Sequence, residues 1–264
     1  MKVKTAPVYY WRPTIGQMVR ATLKLAFDAG AKRFWKKRDV SFTSEGETIE
    51  GSIYYPSRTL KSPGVLLMPA AYGLTAHEHS LAHRLAKEGF AAMVVDAYSS
   101  ENTDGTLNDD SRRGRLERAA LDALKLLQSD DRVYERWTGV IGFSFGGYFA
   151  TYLALTRMER PPRAAIIYYG MYARLEPDFV KLNAPLLILQ GERDARDFVT
   201  SAKQAHDCAL RNESECELVL LSDAGHQFDL FQPGSNSTKE AWQRTVSFLR
   251  WHLYPDAIRI VLPG

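Results

Sequence analysis

Long apolar runs and cysteines are the features that this sequence has least of. No apolar stretch approaches the roughly 18 residues that a membrane-spanning helix needs, so no such helix is expected. The amino-terminal residues also lack the uncharged apolar core of a secretory signal. Two cysteines, Cys208 and Cys216, are too few for a disulfide framework, and free thiols in a reducing cytosol are the expectation. A disulfide between Cys208 and Cys216 is the alternative. The predicted location of the protein is cytoplasmic.

Acidic residues are nearly missing from the first 38 positions. That segment has ten Lys and Arg against one acid, Asp28, so its charge is +9 while the rest of the chain sums to −6. Its apolar residues follow the spacing of one helical face (Ile15, Met18, Val19, Leu23, Ala26, Phe27), which predicts a basic amphipathic helical extension over residues 1–38. We favour a helix packed on its own domain with solvated charges. Peripheral contact with an anionic membrane is the alternative.

Nucleic acid is not an expected partner. The chain after residue 38 is acidic, and no nucleic-acid-binding motif accompanies the basic segment. The oligomeric state cannot be inferred from the sequence.

From residue 39 onward, short β-rich runs alternate with helical ones. The opening run, DVSFTSEGETIEGSIYYP, predicts two strands joined at Glu45 and Gly46. The later strands, such as GVLLMP and PLLILQG, are apolar throughout, which is typical of parallel strands buried on both faces. The sequence therefore predicts one α/β domain over residues 39–264. Its mostly parallel sheet has about eight strands flanked by helices, with the opening hairpin at an antiparallel edge.

The segment GVIGFSFGGYFA places a G-x-S-x-G motif where a strand ends and a helix begins. Gly142 and Gly146 flank Ser144 at a distance of two residues. In that context the motif is a nucleophile elbow, a strained turn that lifts the serine hydroxyl away from the sheet. Ser144 is therefore the candidate nucleophile.

A serine nucleophile needs a base, and the base needs a carboxylate to orient it. PLLILQGERD places Asp194 just after a strand, and CELVLLSDAGHQF places His226 after the last strand. The order Ser144, Asp194, His226 and their positions at strand ends predict a catalytic triad. Asp197 and Asp223 remain alternatives for the acid.

Two backbone N–H groups are expected to bind the developing oxyanion. One belongs to Phe145, directly after the serine, and the other to Ala71 in the loop after GVLLMP. Several aromatic residues at strand ends are candidates for the acyl pocket, although ordinary core packing is an equal alternative: Tyr72, Tyr98, Phe143, Tyr169 and Tyr172.

Neither a metal nor a cofactor is predicted. The histidines of HEHSLAH are the main candidates for metal ligands. His77 and His79 point about 200° apart on a helix, and no carboxylate or cysteine completes a set with His79 and His83.

With these motifs in place, the chain resembles the α/β-hydrolases and, among them, the dienelactone hydrolase family. The resemblance runs from about residue 45 to 252, through LLMPAAYGL, GFAAMVVDAY, GFSFGG, QGERD and AGHQF in family order. It implies the α/β-hydrolase fold with an open site, without a large cap domain and without a cofactor.

Departures from the family pattern bear on the substrate. Dienelactone hydrolases carry a cysteine nucleophile where this chain has Ser144, and their oxyanion-loop glutamate falls on Ala70. The two arginines that hold the substrate carboxylate fall near Ser100 and Leu230. Arg112 or Arg113 could substitute, but solvated residues in the first turn of a helix are the favoured interpretation.

The sequence as a whole predicts a serine hydrolase that cleaves small carboxylic esters or lactones through an acyl-enzyme. Dienelactone itself is not the expected substrate. Two alternatives stay open: an amide or peptide hydrolase with the same triad, and a catalytically idle scaffold that binds a membrane or a partner.

Overall fold

One eight-stranded sheet with helices on both faces organises the chain. The computed structural model describes residues 35–57, 59–98, 106–172 and 182–254. The strands are β1 (Trp35–Ser44), β2 (Glu47–Pro56), β3 (Ser62–Met68), β4 (Ala91–Val95), β5 (Val133–Phe143), β6 (Ala165–Tyr168), β7 (Leu186–Gly191) and β8 (Cys216–Leu221). The helices are α1 (Ala76–Lys87), α2 (Asp110–Ser129), α3 (Phe145–Leu155), α4 (Arg196–Arg211), α5 (Phe228–Phe231) and α6 (Asn236–Leu253), with a 3₁₀ turn at Thr106–Asn108.

The strand order is β1-β2-β4-β3-β5-β6-β7-β8. Strands β3 to β8 pair in parallel, whereas β1 and β2 form a hairpin whose second strand runs antiparallel to β4. The α/β class, the mostly parallel sheet of about eight strands and the antiparallel edge hairpin are thereby confirmed. Strand β4 lies on one side of β3 and β5 on the other, so the direction in which successive strands are added reverses between β3 and β5. In open α/β sheets this is the place where ligands bind.

The central strands are buried because helices cover both faces of the sheet. Alternate residues along a strand belong to different core clusters: Leu66 and Met68 to one, Val65 and Leu67 to the other. Strand β8 closes the sheet at the edge, and its residues are mostly half-buried. The uniformly apolar sequences of the central strands thus have a direct structural cause.

Two helix starts are fixed by side-chain caps. The Thr75 hydroxyl accepts a hydrogen bond from the backbone N–H of His77 at 3.2 Å, while Glu78 Oε2 accepts one from the Thr75 N–H at 2.9 Å. Asp109 caps α2 by accepting from the N–H groups of Ser111 and Arg112. The sequence did not predict the 3₁₀ turn or α5, because each is a single short turn without helical periodicity.

The predicted amphipathic helix falls on residues outside the described part of the chain. Residues 35–38 of the basic segment are described, and they form the start of β1. Within the described ranges, no helix is both long and apolar enough to cross a membrane. Cys208 and Cys216 both lie in the described part, and no disulfide joins them. Burial raises the pKa of the Cys216 thiol to about 12.

The hairpin turn contains a residue that is poorly suited to its conformation. Glu45 and Gly46 both have positive φ, 50° and 84°, as a two-residue type I′ turn requires. Glycine adopts this conformation readily, whereas glutamate pays a steric cost. Glu45 also lies 3.5 Å from Arg118, but both side chains are about half exposed. Such an ion pair contributes little to stability.

We expect Glu45→Asn to stabilise the fold by about 1 kcal/mol, since asparagine tolerates positive φ. This corresponds to a rise of about 2–4 °C in Tm, measured by thermal unfolding. The control is Arg118→Gln, which removes the ion pair alone and should shift Tm by less than about 1 °C. A fall in Tm for Glu45→Asn would show that the ion pair outweighs the backbone strain.

Candidate active site

The junction of β5 and α3 holds Ser144 in a rare backbone conformation. Its φ is 50° and its ψ is −112°, which costs on the order of 1–3 kcal/mol for a residue with a side chain. Three backbone hydrogen bonds hold the turn. The Ser144 N–H donates to the Tyr168 carbonyl at 3.0 Å, and the Ser144 carbonyl accepts from Gly147 and Met171, each at 2.9 Å. The strain is therefore maintained by the end of the neighbouring strand, β6.

Two positions around the turn leave no room for a side chain. A Cβ added to Gly142 would lie 2.3 Å from the Gly146 carbonyl oxygen. A Cβ added to Gly146 would lie 2.2 Å from the carbonyl oxygen of Met68 and 2.4 Å from that of Pro69. The first turn of α3 thus packs directly against the end of β3.

A chain of hydrogen bonds runs from Ser144 through His226 to Asp194. Ser144 Oγ lies 2.9 Å from His226 Nε2, and His226 Nδ1 lies 2.8 Å from Asp194 Oδ2. The serine and the aspartate are each 9% exposed. The three residues come from the loops after β5, β7 and β8, so the structure brings together the three residues that the sequence indicated.

Asp194 is held in place by further donors. Its Oδ1 accepts from the backbone N–H of Ala195 at 2.7 Å, and its Oδ2 accepts from Gln190 Nε2 at 2.9 Å. Gln190 is fully buried in β7, and its Oε1 has no hydrogen-bond partner among the described residues. The amide is thus oriented by its hydrogen bonds to this carboxylate and to the Gly191 carbonyl. Sequence reasoning missed Gln190, although a polar residue near the end of an apolar strand was a usable signal.

The two alternative acids are placed elsewhere. The Asp223 carboxylate accepts a hydrogen bond from the Ser237 hydroxyl, and its carbonyl accepts one from Gln232 Nε2. Asp197 lies exposed in the first turn of α4. It is Asp194 that pairs with the imidazole.

Two aromatic rings contact the His226 imidazole. The centroid of the Phe198 ring lies 4.5 Å from that of His226, and the Tyr169 centroid lies 5.0 Å away. Phe198 is half-buried in α4, whereas Tyr169 is 2% exposed. The sequence did not indicate Phe198, because a single aromatic residue in an amphipathic helix looks like any core residue.

The proposed oxyanion donors lie at the same edge of the sheet. Phe145 is the first residue of α3, and Ala71 lies in the tight turn after β3, which a hydrogen bond from Gly73 N–H to the Ala70 carbonyl closes at 3.0 Å. Since β3 and β5 pair with Met68 beside Gly142, this turn adjoins the serine turn. The buried Tyr98 hydroxyl donates to the Pro69 carbonyl and fixes the base of the loop.

The five aromatic candidates for the acyl pocket divide into two groups. Tyr72 is 63% exposed beside Ala71, whereas the other four are at most 8% exposed: Tyr98, Phe143, Tyr169 and Tyr172. The rings of Tyr98 and Phe143 pack against other aromatic rings, Phe145 and Tyr168 respectively, each at 5.1 Å. Residues this deeply buried offer almost no surface to an acyl group, so we assign these four rings to the core beneath the site.

Arg113, a candidate for binding a substrate carboxylate, has other partners. Its guanidinium donates to the carboxylate of Asp110 at 2.5 Å and to the carbonyl of Leu107 at 2.9 Å. Glu117 lies 3.8 Å away and accepts a hydrogen bond from the Tyr148 hydroxyl. The charge of Arg113 is thus balanced within α2. Ser100 lies outside the described residues, and Leu230 is half-buried in α5.

Among the described residues, no group of three or more His, Cys, Asp and Glu is arranged to hold a metal ion. Two of the three histidines in the HEHSLAH segment have separate partners. His79 Nδ1 lies 2.8 Å from the Tyr54 hydroxyl, and His77 Nε2 lies 2.7 Å from Asp229 Oδ2.

The close approach at Gly146 generates a prediction about stability. We expect Gly146→Ala to lower the free energy of unfolding by about 1–3 kcal/mol, because its methyl group would collide with two backbone oxygens. Thermal or urea unfolding measures the change. Gly114→Ala is the matched control, since a Cβ at this position in the second turn of α2 meets nothing within 4 Å. It should stabilise the protein by about 0.5–1 kcal/mol. Equal stability of the two variants would contradict the packing argument.

Comparison with known proteins places this geometry in a family. The model of the dienelactone hydrolase family matches residues 49–253. The chain is 26% identical over 239 residues to a Bradyrhizobium sp. protein named "Probable 2-oxo-3-(5-oxofuran-2-ylidene)propanoate lactonase", covering 81% of this chain and 94% of the relative.

Solved structures from metagenomic libraries share the fold. A dienelactone hydrolase-like promiscuous phosphotriesterase superposes with a TM-score of 0.72 at 22% identity, covering 84% of this chain and 100% of that one. The carboxylesterase EstE1 gives a TM-score of 0.72 at 17% identity, covering 92% and 99%. These structures confirm the α/β-hydrolase fold. Because the family model covers most of its length, the chain belongs to the dienelactone hydrolase family, a family of carboxylic ester hydrolases.

Proposed function

We propose that the protein is a serine hydrolase that cleaves small carboxylic esters or lactones through an acyl-enzyme on Ser144. The observation that carries the proposal is the hydrogen-bonded chain from Ser144 Oγ through His226 to Asp194, with distances of 2.9 and 2.8 Å. Asp194 accepts a hydrogen bond from His226 Nδ1–H, so Nε2 keeps its lone pair and faces the serine hydroxyl. This is the tautomer that a general base requires.

The reaction follows from these positions. Ser144 Oγ attacks the ester carbonyl carbon while its proton moves to His226 Nε2. The carbonyl oxygen becomes an oxyanion that the N–H groups of Phe145 and Ala71 stabilise. The intermediate then collapses, and the imidazolium protonates the departing alcohol. A water molecule, deprotonated by His226, attacks the acyl carbon, and the second collapse restores Ser144 and releases the acid.

The surroundings of Ser144 favour a neutral, apolar substrate. Tyr72 is 63% exposed beside the Ala71 turn, and Met171, whose N–H bonds the Ser144 carbonyl, is 39% exposed. Phe198 adds a third apolar side chain next to His226. Such side chains fit an acyl chain or a lactone ring better than a carboxylate.

Ser144→Ala tests the nucleophile. We expect the variant to fold normally and to lose at least about 10⁴-fold in kcat toward p-nitrophenyl butyrate, because the acyl-enzyme cannot form. Covalent labelling by a fluorophosphonate should also disappear. Ser129→Ala, which removes a hydroxyl from the exposed end of α2, is the control and should behave as wild type. Turnover and labelling that persist in Ser144→Ala would refute the proposed function.

The charge preference is tested with a pair of substrates. We expect kcat/KM to be about tenfold higher for p-nitrophenyl butyrate than for p-nitrophenyl hemisuccinate, whose extra carboxylate would meet the apolar side chains. Arg113→Gln should leave both values within about twofold, because its guanidinium is already paired with Asp110. A selective loss of hemisuccinate hydrolysis in Arg113→Gln would instead identify Arg113 as a carboxylate-binding residue.

A further inference from the structure

A second buried His–Asp pair lies beside the proposed catalytic residues. His77 Nε2 is 2.7 Å from Asp229 Oδ2, and the Tyr169 hydroxyl donates to Asp229 Oδ1 at 2.6 Å. His77, Asp229 and Tyr169 are 5%, 3% and 2% exposed, so the whole group is shielded from water. We call these three residues the brace.

The brace connects three separate parts of the site. His77 lies in the first turn of α1, six residues after Ala71, and the Thr75 cap holds it there. Tyr169 directly follows β6 and has a positive φ of 40°. Asp229 lies in α5, three residues after His226. A hydrogen bond in the brace therefore links the oxyanion turn to the loop that carries the base.

Tyr169 connects the brace to the imidazole of His226 by direct ring contact. Its ring lies 5.0 Å from the His226 ring in an edge-on arrangement, and Phe228 packs against it at 5.4 Å. The Tyr169 N–H donates to the Leu189 carbonyl, which fixes its backbone. With both the backbone and the hydroxyl held, the ring cannot turn away from His226.

The hydrogen bond between the Tyr169 hydroxyl and the Asp229 carboxylate stabilises the brace. Burial raises the pKa of the Tyr169 hydroxyl well above its usual value, and the nearby Asp229 carboxylate adds to the effect. The hydroxyl thus stays protonated, and able to donate, above the pH at which an exposed tyrosine ionises. A buried carboxylate that loses one of its donors is left under-solvated, which is unfavourable, so the hydrogen bonds of the three groups stabilise one another.

We propose that Tyr169 is a positioning residue for His226, held by Asp229, and that His77 ties this unit to the oxyanion turn. The proposal rests on the proposed function, since it assigns a purpose to the orientation of the general base. None of the three side chains takes part in bond making. They keep His226 Nε2 within reach of Ser144 Oγ, and small displacements of a catalytic group are costly to the rate.

The test compares two Tyr→Phe variants with matched chemistry. Tyr169→Phe removes the hydroxyl that binds Asp229. Tyr55→Phe removes a buried hydroxyl that donates to the Asp130 carboxylate at 2.7 Å, at the opposite edge of the parallel strands. Both variants lose one buried Tyr–Asp hydrogen bond and should lose similar stability. Of the two tyrosines, only Tyr169 contacts His226.

We expect kcat for p-nitrophenyl butyrate to fall about tenfold or more in Tyr169→Phe, with KM unchanged within about twofold. The low-field proton resonance of His226 Nδ1–H should shift or broaden. In Tyr55→Phe, kcat and the resonance should match those of wild type. Wild-type kcat and resonance in Tyr169→Phe, or an equal loss in Tyr55→Phe, would overturn the proposal.

Poor folding of Tyr169→Phe does not prevent the test. The rate constant for fluorophosphonate labelling reports only the folded molecules, whatever their share of the sample. It should be about tenfold lower than that of wild type, and an unchanged rate constant would overturn the proposal. Ser144→Ala distinguishes a failure of the proposed function from a failure of the positioning role alone. If it still turns over and labels, the proposed function itself fails. If it is silent while Tyr169→Phe equals wild type, only the positioning role fails.

Discussion

The contact between the first turn of α3 and the end of β3 is the constraint on which the site depends. Gly146 lies so close to the carbonyl oxygens of Met68 and Pro69 that no side chain fits between them. This approach brings the turn that carries Ala71 beside the turn that carries Ser144. Together with the hydrogen bonds of the Ser144 backbone to Tyr168 and Met171, it also keeps Ser144 in its strained conformation. Strain of this kind persists only where the neighbouring structure over-determines it.

The parts of the fold that sequence could predict are those set by local pattern. Apolar runs such as Val65–Met68 and Leu186–Leu189 are buried on both faces of the sheet, and their composition reports that directly. The two residues of the hairpin turn and the Thr75 cap are likewise local signals. Ser144, Asp194 and His226 could be proposed because each lies within five residues of the end of a strand, and parallel strands end at one edge.

Other features depended on contacts that no local pattern encodes. His77 and Asp229 are 152 positions apart, and each alone looks like an ordinary polar residue of a helix. The ion pairs of Arg113 could be identified only from the side-chain conformations of Asp110 and Glu117. Burial of Tyr98, Phe143 and Tyr169 also followed from packing rather than sequence, since an aromatic residue at a strand end can face either the core or a pocket. Gln190 acquires its role only because Asp194 turns back toward β7.

The position of His226 after the edge strand has a consequence for how the protein inactivates on heating. In the sheet order, β8 pairs with β7 alone, and its residues are only half-buried. Edge elements of this kind open locally at lower free energy than the central strands, so the loop carrying the base can detach while the serine turn stays folded. Loss of turnover would then precede global unfolding, and it would be reversible on cooling. The bond between His77 and Asp229 opposes that opening by anchoring the edge loop to α1, which packs against β4 and β2.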